Sequence, residues 1–359
     1  MTEVSWLELR DFRNIEHVWF EPSPTGLTVV TGENGAGKTS LLEAIAYAST
    51  LGSFRGTPRD ALIRDGLSRS VIRLDAVTDE RPERIEVEIS RDRRDRVLRN
   101  HQRPRRNAEL LEVLRVTVFT PDDLALVKGG PQHRRDYLDD ALVAAYPFRL
   151  ELRQNVEKIL RQRGSLLRQS GGYLSREIVS SLDVWDAQLS IVGEELICAR
   201  EALLTQIAPL ANAAFRDLTR TEDSLELEYL RSFEGTLADA LKLSRQDDAR
   251  RAMTTIGPHR DDFAIRVGPL DARTRVSQGR QRCATLALRL AAHGAVREAA
   301  GTSPVLLLDD AFSELDEATA RALFEELPKG QAILTTAGPL PPGAKPVLII
   351  RVADGELVG

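Results

Sequence analysis

The 359-residue chain is short of cysteine, lysine and aromatic residues, and each shortage closes off a class of protein. Cys198 and Cys283 are the only cysteines and lie far apart, so neither a disulfide framework nor a four-ligand zinc site is available. The five histidines do not cluster, which leaves no histidine-built metal or covalent-nucleophile centre. No apolar run approaches the roughly 18 residues that a membrane helix needs, and the opening MTEVSWLELR has no signal-peptide core. The expectation is a soluble cytoplasmic chain with no membrane partner. Lysine supplies six of the 49 basic residues and arginine the other 43. Arginine grips phosphate bidentately and stacks on bases, although GC-rich coding also produces such an excess. The 54 acidic residues leave a net charge of −5, which excludes a packaging protein that is basic all over.

Length predicts two to three domains, at roughly 150 residues each. The segments Val4 to Arg10 and Glu16 to Pro22 alternate like paired strands. LTVVT, from Leu27 to Thr31, is a short apolar run of the kind seen in buried parallel strands. A helix is predicted over Ser40 to Ala48. Alternation returns from Ser70 to Arg106, predicting a small antiparallel layer, and VTVFT from Val116 to Thr120 reads as another buried strand. From Pro131 to Leu218 the apolar residues recur every three or four positions, the period of helices, with a break at Gly171 and Gly172. The last third returns to strands, with PVLLLDD, QAILTT and PVLIIRV predicted as buried. The fold class expected is α/β: a P-loop ATPase domain with an antiparallel β layer and an inserted helical lobe. The divisions are 1–130 for the first half of the head, 131–250 for the helical lobe and 251–359 for the second half.

Three segments carry the chemistry. Gly32, Glu33, Asn34, Gly35, Ala36, Gly37, Lys38 and Thr39 fit G-x-x-x-x-G-K-[ST] between a predicted strand and a predicted helix. The glycines let backbone N–H groups converge on phosphates, at a helix end that carries partial positive charge. Lys38 is assigned to the β- and γ-phosphates of ATP and Thr39 to Mg²⁺. Asp309 and Asp310 close the apolar strand PVLLLDD, where one carboxylate orients Mg²⁺ and the next polarises the attacking water. Ser277, Gln278 and Gly279 open a predicted helix and form a second phosphate-facing donor set. The plainer alternative there is an N-cap, with the Ser277 side chain bonded into its own helix.

These residues resemble the RecF family, whose heads are related to those of SMC proteins. The resemblance rests on LRDFRNIE, GENGAGKTSLLEAI, SFR at Ser53 to Arg55, VLRNHQRP, VFTPDDLALVKGGPQHRRDYLD, GPHRDDF, SQGRQR and LLLDDAFSELD. It implies a two-lobed ABC-type, SMC-head-like ATPase without a long coiled coil. It also implies binding of ATP and DNA, and a homodimer closed around two ATP molecules in which Ser277 serves the partner's γ-phosphate. Recombinase loading at single-strand gaps with RecO and RecR, support of the SOS response and association with the nucleoid are implied as well. Arg13 and Asn14 match the family's FRN turn and are expected at the nucleotide. Ser40 stands where the family usually has Asn, and Arg280 where Glu or Gln is usual. Asp122 or Asp123 is the candidate for the Q-loop position. His259 reads as a loop-ordering residue rather than a catalyst.

Hydrolysis is expected to be slow and stimulated by DNA, with Lys38, Asp309, Asp310 and Ser277 as its machinery. The run from Arg91 to Arg106 holds eight arginines against two aspartates and is the candidate DNA contact, through Arg93, Arg94, Arg103 and Arg105. The alternative reading is a nucleotide-gated DNA-binding or defence-related module in which turnover is incidental. A solvated surface hairpin is the corresponding alternative for the arginine run.

Overall fold

The computed structural model describes residues 2–78 and 80–358. The chain opens with strands β1 (Thr2–Phe12), β2 (Ile15–Phe20) and β3 (Gly26–Thr31), followed by helix α1 (Lys38–Thr50). Next come β4 (Arg69–Thr78), β5 (Arg81–Ser90), β6 (Arg96–Arg99), α2 (Ala108–Val113) and β7 (Val116–Phe119). The helical stretch comprises α3 (Ala125–Lys128), α4 (Pro131–Ala145), α5 (Arg149–Gln169) and α6 (Arg176–Thr219). After it lie β8 (Leu225–Leu230), α7 (Leu237–Arg251), β9 (Asp262–Val267), β10 (Leu270–Asp271) and α8 (Gln278–Ala300). The chain finishes with β11 (Val305–Asp309), α9 (Glu317–Glu326), β12 (Gln331–Thr336), β13 (Pro346–Ala353) and β14 (Glu356–Val358).

Three sheets result. A five-stranded antiparallel sheet has the order β2-β1-β4-β5-β6, and a three-stranded one the order β10-β9-β8. The central six-stranded sheet runs β14-β13-β3-β12-β11-β7 and is parallel except for β14. Successive side chains of a strand point to opposite faces, and the central strands show it. Leu27, Val29, Leu306, Leu308 and Leu334 join one apolar cluster with α4, α6 and α8. Val30, Leu307 and Ile333 join the other, with α1 and the five-stranded sheet. Helix α1 therefore lies between two sheets and is buried nearly all round, as its weakly amphipathic sequence requires.

The helical stretch forms as the apolar period predicts. Gly171 and Gly172 adopt left-handed backbone and separate α5 from the 44-residue α6. Ser175 caps α6 by accepting the Ile178 N–H. Strand β8, which follows α6, pairs with β9, so the helical stretch and the last third of the chain share one small sheet.

Two strands depart from expectation. PVLIIRV is not buried: β13 lies beyond β3 with only β14 outside it, leaving Val347 67% and Ile349 52% exposed. Val116 to Phe119 is the opposite edge strand of the same sheet and is only partly buried until Phe119. An apolar run reports strand propensity, whereas burial depends on the order in which strands pair.

Candidate functional site

Strand β3 delivers the chain to the glycine loop, and α1 begins directly after it at Lys38, two residues earlier than expected. Gly37 is the N-cap with φ 111°, a conformation that side chains rarely adopt. A Cβ on Gly32 would lie 2.2 Å from the Val352 carbonyl oxygen, so the loop closes only with glycine there. No side chain caps α1, which leaves its first-turn N–H groups free for an anion. Lys38 is a buried residue, 7% exposed, and its ammonium donates to the carbonyls of Gly32 (2.8 Å) and Glu33 (2.7 Å). Burial pushes its pKa below the ordinary lysine value, and the carboxylates of Asp310 and Asp309 oppose that shift.

The acidic strand meets this loop across the sheet. Thr39 Oγ1 donates to Asp309 Oδ1 at 2.8 Å, and Thr335 Oγ1 donates to the same oxygen at 2.8 Å. Asp310 lies just past β11 in left-handed backbone, φ 48°. Burial raises the Asp310 carboxyl and the nearby Asp309 and Glu314 carboxylates add to it, while Ser313 and Lys38 oppose. A cavity of about 660 Å³ is bounded by Asn14, Lys38, Thr39, Asp309, Asp310 and Thr335, among others. Its size suits a nucleotide.

The flanking residues fall into place around that cavity. Asn14 donates to the Gly35 carbonyl at 2.9 Å and accepts from Ser40 Oγ at 3.0 Å, so Ser40 is accommodated as a partner of the loop anchor. Arg13 lines the cavity, but its guanidinium is taken up by the fully buried Glu43, with Nε at 2.6 Å and Nη2 at 2.7 Å. Ser53 and Thr57 close the same cluster, Ser53 donating to Glu43 and Thr57 accepting from Arg13. Arg55 and Arg64 also line the cavity, and neither was expected there. Arg55 belongs to the SFR segment, whose spacing alone carries no chemical signal.

Ser277 is exposed and lies outside the cavity of its own chain. It occupies the N-cap of α8, yet its hydroxyl makes no capping hydrogen bond, so the plain N-cap alternative does not hold. Gln278 and Gly279 are exposed beside it. Arg280 is turned aside into an ion pair with Asp223, which offsets its extra charge. Ser277→Arg is expected to leave nucleotide binding by the monomer within about twofold, since the serine is remote from its own chain's cavity. ATP-induced association should disappear; light scattering with ATP and Mg²⁺ decides it, and a variant that associates like the parent removes Ser277 from a dimer interface.

Asp123 is committed elsewhere: it caps Thr120 N–H at 2.8 Å and accepts from Arg289 at 2.6 Å, while Asp122 is exposed. Neither bounds the 660 Å³ cavity. His259 contacts the Thr254 carbonyl at 3.0 Å, and burial lowers its pKa to about 4, as befits a neutral loop-ordering residue.

The arginine run spans the β5–β6 turn, β6 and the segment up to α2. Arg99 pairs with Glu83 and Glu112, and Arg106 with Glu151. Among the described residues Arg93, Arg94, Arg103 and Arg105 make no ion pair, and all four are exposed. Asp95 pairs with Arg59, outside the run, rather than with an arginine of the run. Arg94 and Arg103 line a second cleft of about 420 Å³ with Arg59 and Tyr47.

A phosphate loop opening a buried helix, an acidic strand two places away in a parallel sheet and a free serine at a second helix end define an ABC-type ATPase head. A model of the RecF/RecN/SMC N-terminal domain matches residues 3–337. The DNA replication and repair protein RecF of Streptomyces avermitilis is 36% identical over 349 residues, 93% of each chain. The chain belongs to the RecF family. A structure described as the recombination mediator protein RecF-ATP in the RecFOR pathway superposes with TM-score 0.90 at 26% identity, covering 99% of this chain and 97% of that one. The Smc head domain of Pyrococcus furiosus, with an extended coiled coil and bound to the C-terminal domain of ScpA, shares the fold alone. Its TM-score is 0.57 at 17% identity, over 100% of this chain and 96% of that one.

Proposed function

We propose that this chain is an ATP-dependent DNA-binding protein of replication and recombinational repair, a slow ATPase stimulated by DNA. The observation that carries this reading is the gathering of Lys38, Thr39, Asp309 and Asp310 around one cavity at the start of α1, with the Ser277 hydroxyl presented outside it. The names and bound nucleotides of its relatives support it. Gly32 to Ser40 bind the phosphates, helped by Asn14, and Arg13 shapes the cavity wall through Glu43. Thr39 and Asp309 suit Mg²⁺, a hard cation that takes one or two protein oxygens and completes its shell with phosphate and water. Bound there, the ion would neutralise charge developing between the β- and γ-phosphates. Asp310 positions the attacking water, and Ser277 with Gln278 and Gly279 closes over the nucleotide of a second copy. The segments 1–130 and 251–359 form the head in this reading, and 131–250 the lobe.

The dimer forms on duplex DNA at gap junctions, in the cytoplasm at the nucleoid. RecO- and RecR-type proteins are its partners in recombinase loading. The decisive experiment measures ATP hydrolysis by the purified protein with and without DNA: stimulation of several-fold or more is expected. A rate unaffected by DNA, with nucleotide-dependent DNA binding intact, leaves a gated binding module in which turnover is incidental.

Arg93, Arg94, Arg103 and Arg105, exposed and without an ion pair among the described residues, supply the DNA-binding surface. Replacing Arg93, Arg94, Arg103 and Arg105 with alanine is expected to weaken duplex binding alike across sequences. The log–log salt slope should flatten by roughly 2 to 4 units, at about 0.9 for each phosphate that is no longer neutralised. ATP affinity should hold, because none of the four lines the 660 Å³ cavity. An unchanged slope moves the DNA path off this hairpin.

A further inference from the structure

We infer that Thr335 is the positioning residue of the acidic pair, orienting the Asp309 carboxylate through its hydroxyl and holding the Asp310 backbone in its left-handed turn. The inference rests on the ATPase reading above and adds a residue to it. Strand β12 lies between β3 and β11, and the register places Thr335 opposite Val30 on one side and Asp309 on the other. Thr335, the last residue but one of β12, is thus placed to reach the acidic pair from within the sheet.

Its hydroxyl both donates and accepts. It donates to Asp309 Oδ1 at 2.8 Å and accepts from the Asp310 N–H at 3.1 Å, which fixes its polarity. The Thr335 carbonyl also accepts from that N–H, at 3.2 Å. With Thr39 donating to Asp309 Oδ1 as well, that oxygen holds two hydroxyls, while Oδ2 has no protein partner among the described residues. Two fixed donors on one oxygen set the rotation of the carboxylate and present the other.

The two threonines are not equivalent. Thr39 belongs to the phosphate loop and is itself assigned to Mg²⁺, so its bond to Asp309 is shared with another task. Thr335 is 1% exposed and faces no such demand. Left-handed backbone is disfavoured for a residue that carries a Cβ, and both bonds from Asp310 N–H to Thr335 support it there. Partners that orient a metal ligand are worth about 10–100-fold in affinity or activity.

The test compares Thr335→Val, which keeps shape and strand propensity but removes the hydroxyl, with Thr335→Ser, which restores it. Two quantities are read: Mn²⁺ affinity by electron paramagnetic resonance with a non-hydrolysable ATP analogue present, and single-turnover hydrolysis of ATP. The valine variant should bind ATP without divalent ion as the parent does, bind Mn²⁺ about 10-fold or more weakly, and turn over about 10–100-fold more slowly. Serine should recover both to within about threefold. Parent-like Mn²⁺ affinity and turnover in the valine variant overturn the inference. Equal losses in valine and serine also overturn it, because keeping the hydroxyl then rescues nothing. Should the valine variant not fold, Thr335→Ala against Thr335→Ser makes the same comparison. A parent that binds neither ATP nor Mn²⁺–nucleotide refutes the ATPase reading itself, which is a separate result.

Discussion

Lys38→Ala is expected to lower ATP affinity by about 100-fold or more. The ammonium stands inside the phosphate loop, 2.8 Å and 2.7 Å from the Gly32 and Glu33 carbonyls, at the first residue of α1. Hydrogen bonds to charged groups contribute about 1.5–3 kcal/mol each, and the proposed role gives the lysine at least two to a bound triphosphate. Each 1.4 kcal/mol is about tenfold in Kd. Alanine also frees the two loop carbonyls that the ammonium gathers, so the loop loses shape along with charge. The fold should survive, because the alanine keeps the helix propensity of α1 and empties a site that opens onto solvent. Calorimetric titration of ATP into the variant, with a thermal melt as control, checks this. Affinity within threefold of the parent would remove the phosphate loop from nucleotide binding.

Asp310→Asn should keep ATP binding and slow hydrolysis by about 10²–10⁴-fold, the range that a positioned acid–base group contributes. Asparagine is close in size and tolerates left-handed backbone nearly as well as aspartate, so the turn after β11 is preserved. The carbonyl of residue 310 still accepts from Ser313 Oγ at 2.9 Å, and its N–H still reaches Thr335. What is lost is the negative charge, and with it the ability to take a proton. The aspartate is suited to that task because burial raises its pKa, bringing the carboxylate nearer the basicity of a working base. Slower turnover should lengthen the life of the ATP-bound dimer by a similar factor. Single-turnover hydrolysis and light scattering in the same mixture measure both. Unchanged turnover with normal dimers assigns the water to another group.

The parts of the site that were legible in the sequence are the contiguous ones. Gly32 to Thr39 announce a phosphate loop by residue type and spacing, and VLLLDD carries its carboxylates at the end of a strand whose apolar character is plain. Their meeting across the sheet, Thr39 on Asp309, could be expected only because both motifs belong to one known kind of site. What stayed hidden depends on tertiary placement. Glu43 reads as one polar residue on a helix, yet it is the buried carboxylate that takes up Arg13 and receives Ser53. Arg280 reads as a charge beside a phosphate contact, and the fold supplies Asp223, 57 residues earlier, to pair with it. Thr335 reads as a threonine ending a strand, and nothing local says that the strand lies between β3 and β11. The exposed face of β13 was hidden for the same reason, since strand order is a property of the whole sheet.

The order of strands in the central sheet also governs how the protein is made. β3, which carries the phosphate loop, pairs with β12 and β13, so its hydrogen-bonding partners begin at Gln331, some 300 residues later. At about 5–20 residues per second, a ribosome takes roughly 15–60 s to supply them. Until then the nascent chain carries an apolar strand with both edges open, the kind of segment that pairs wrongly or recruits chaperones. Any product terminated before β12 contains every residue of the phosphate loop and still lacks the sheet that holds it. The phosphate loop therefore waits for its shape on strands made some 300 residues after it.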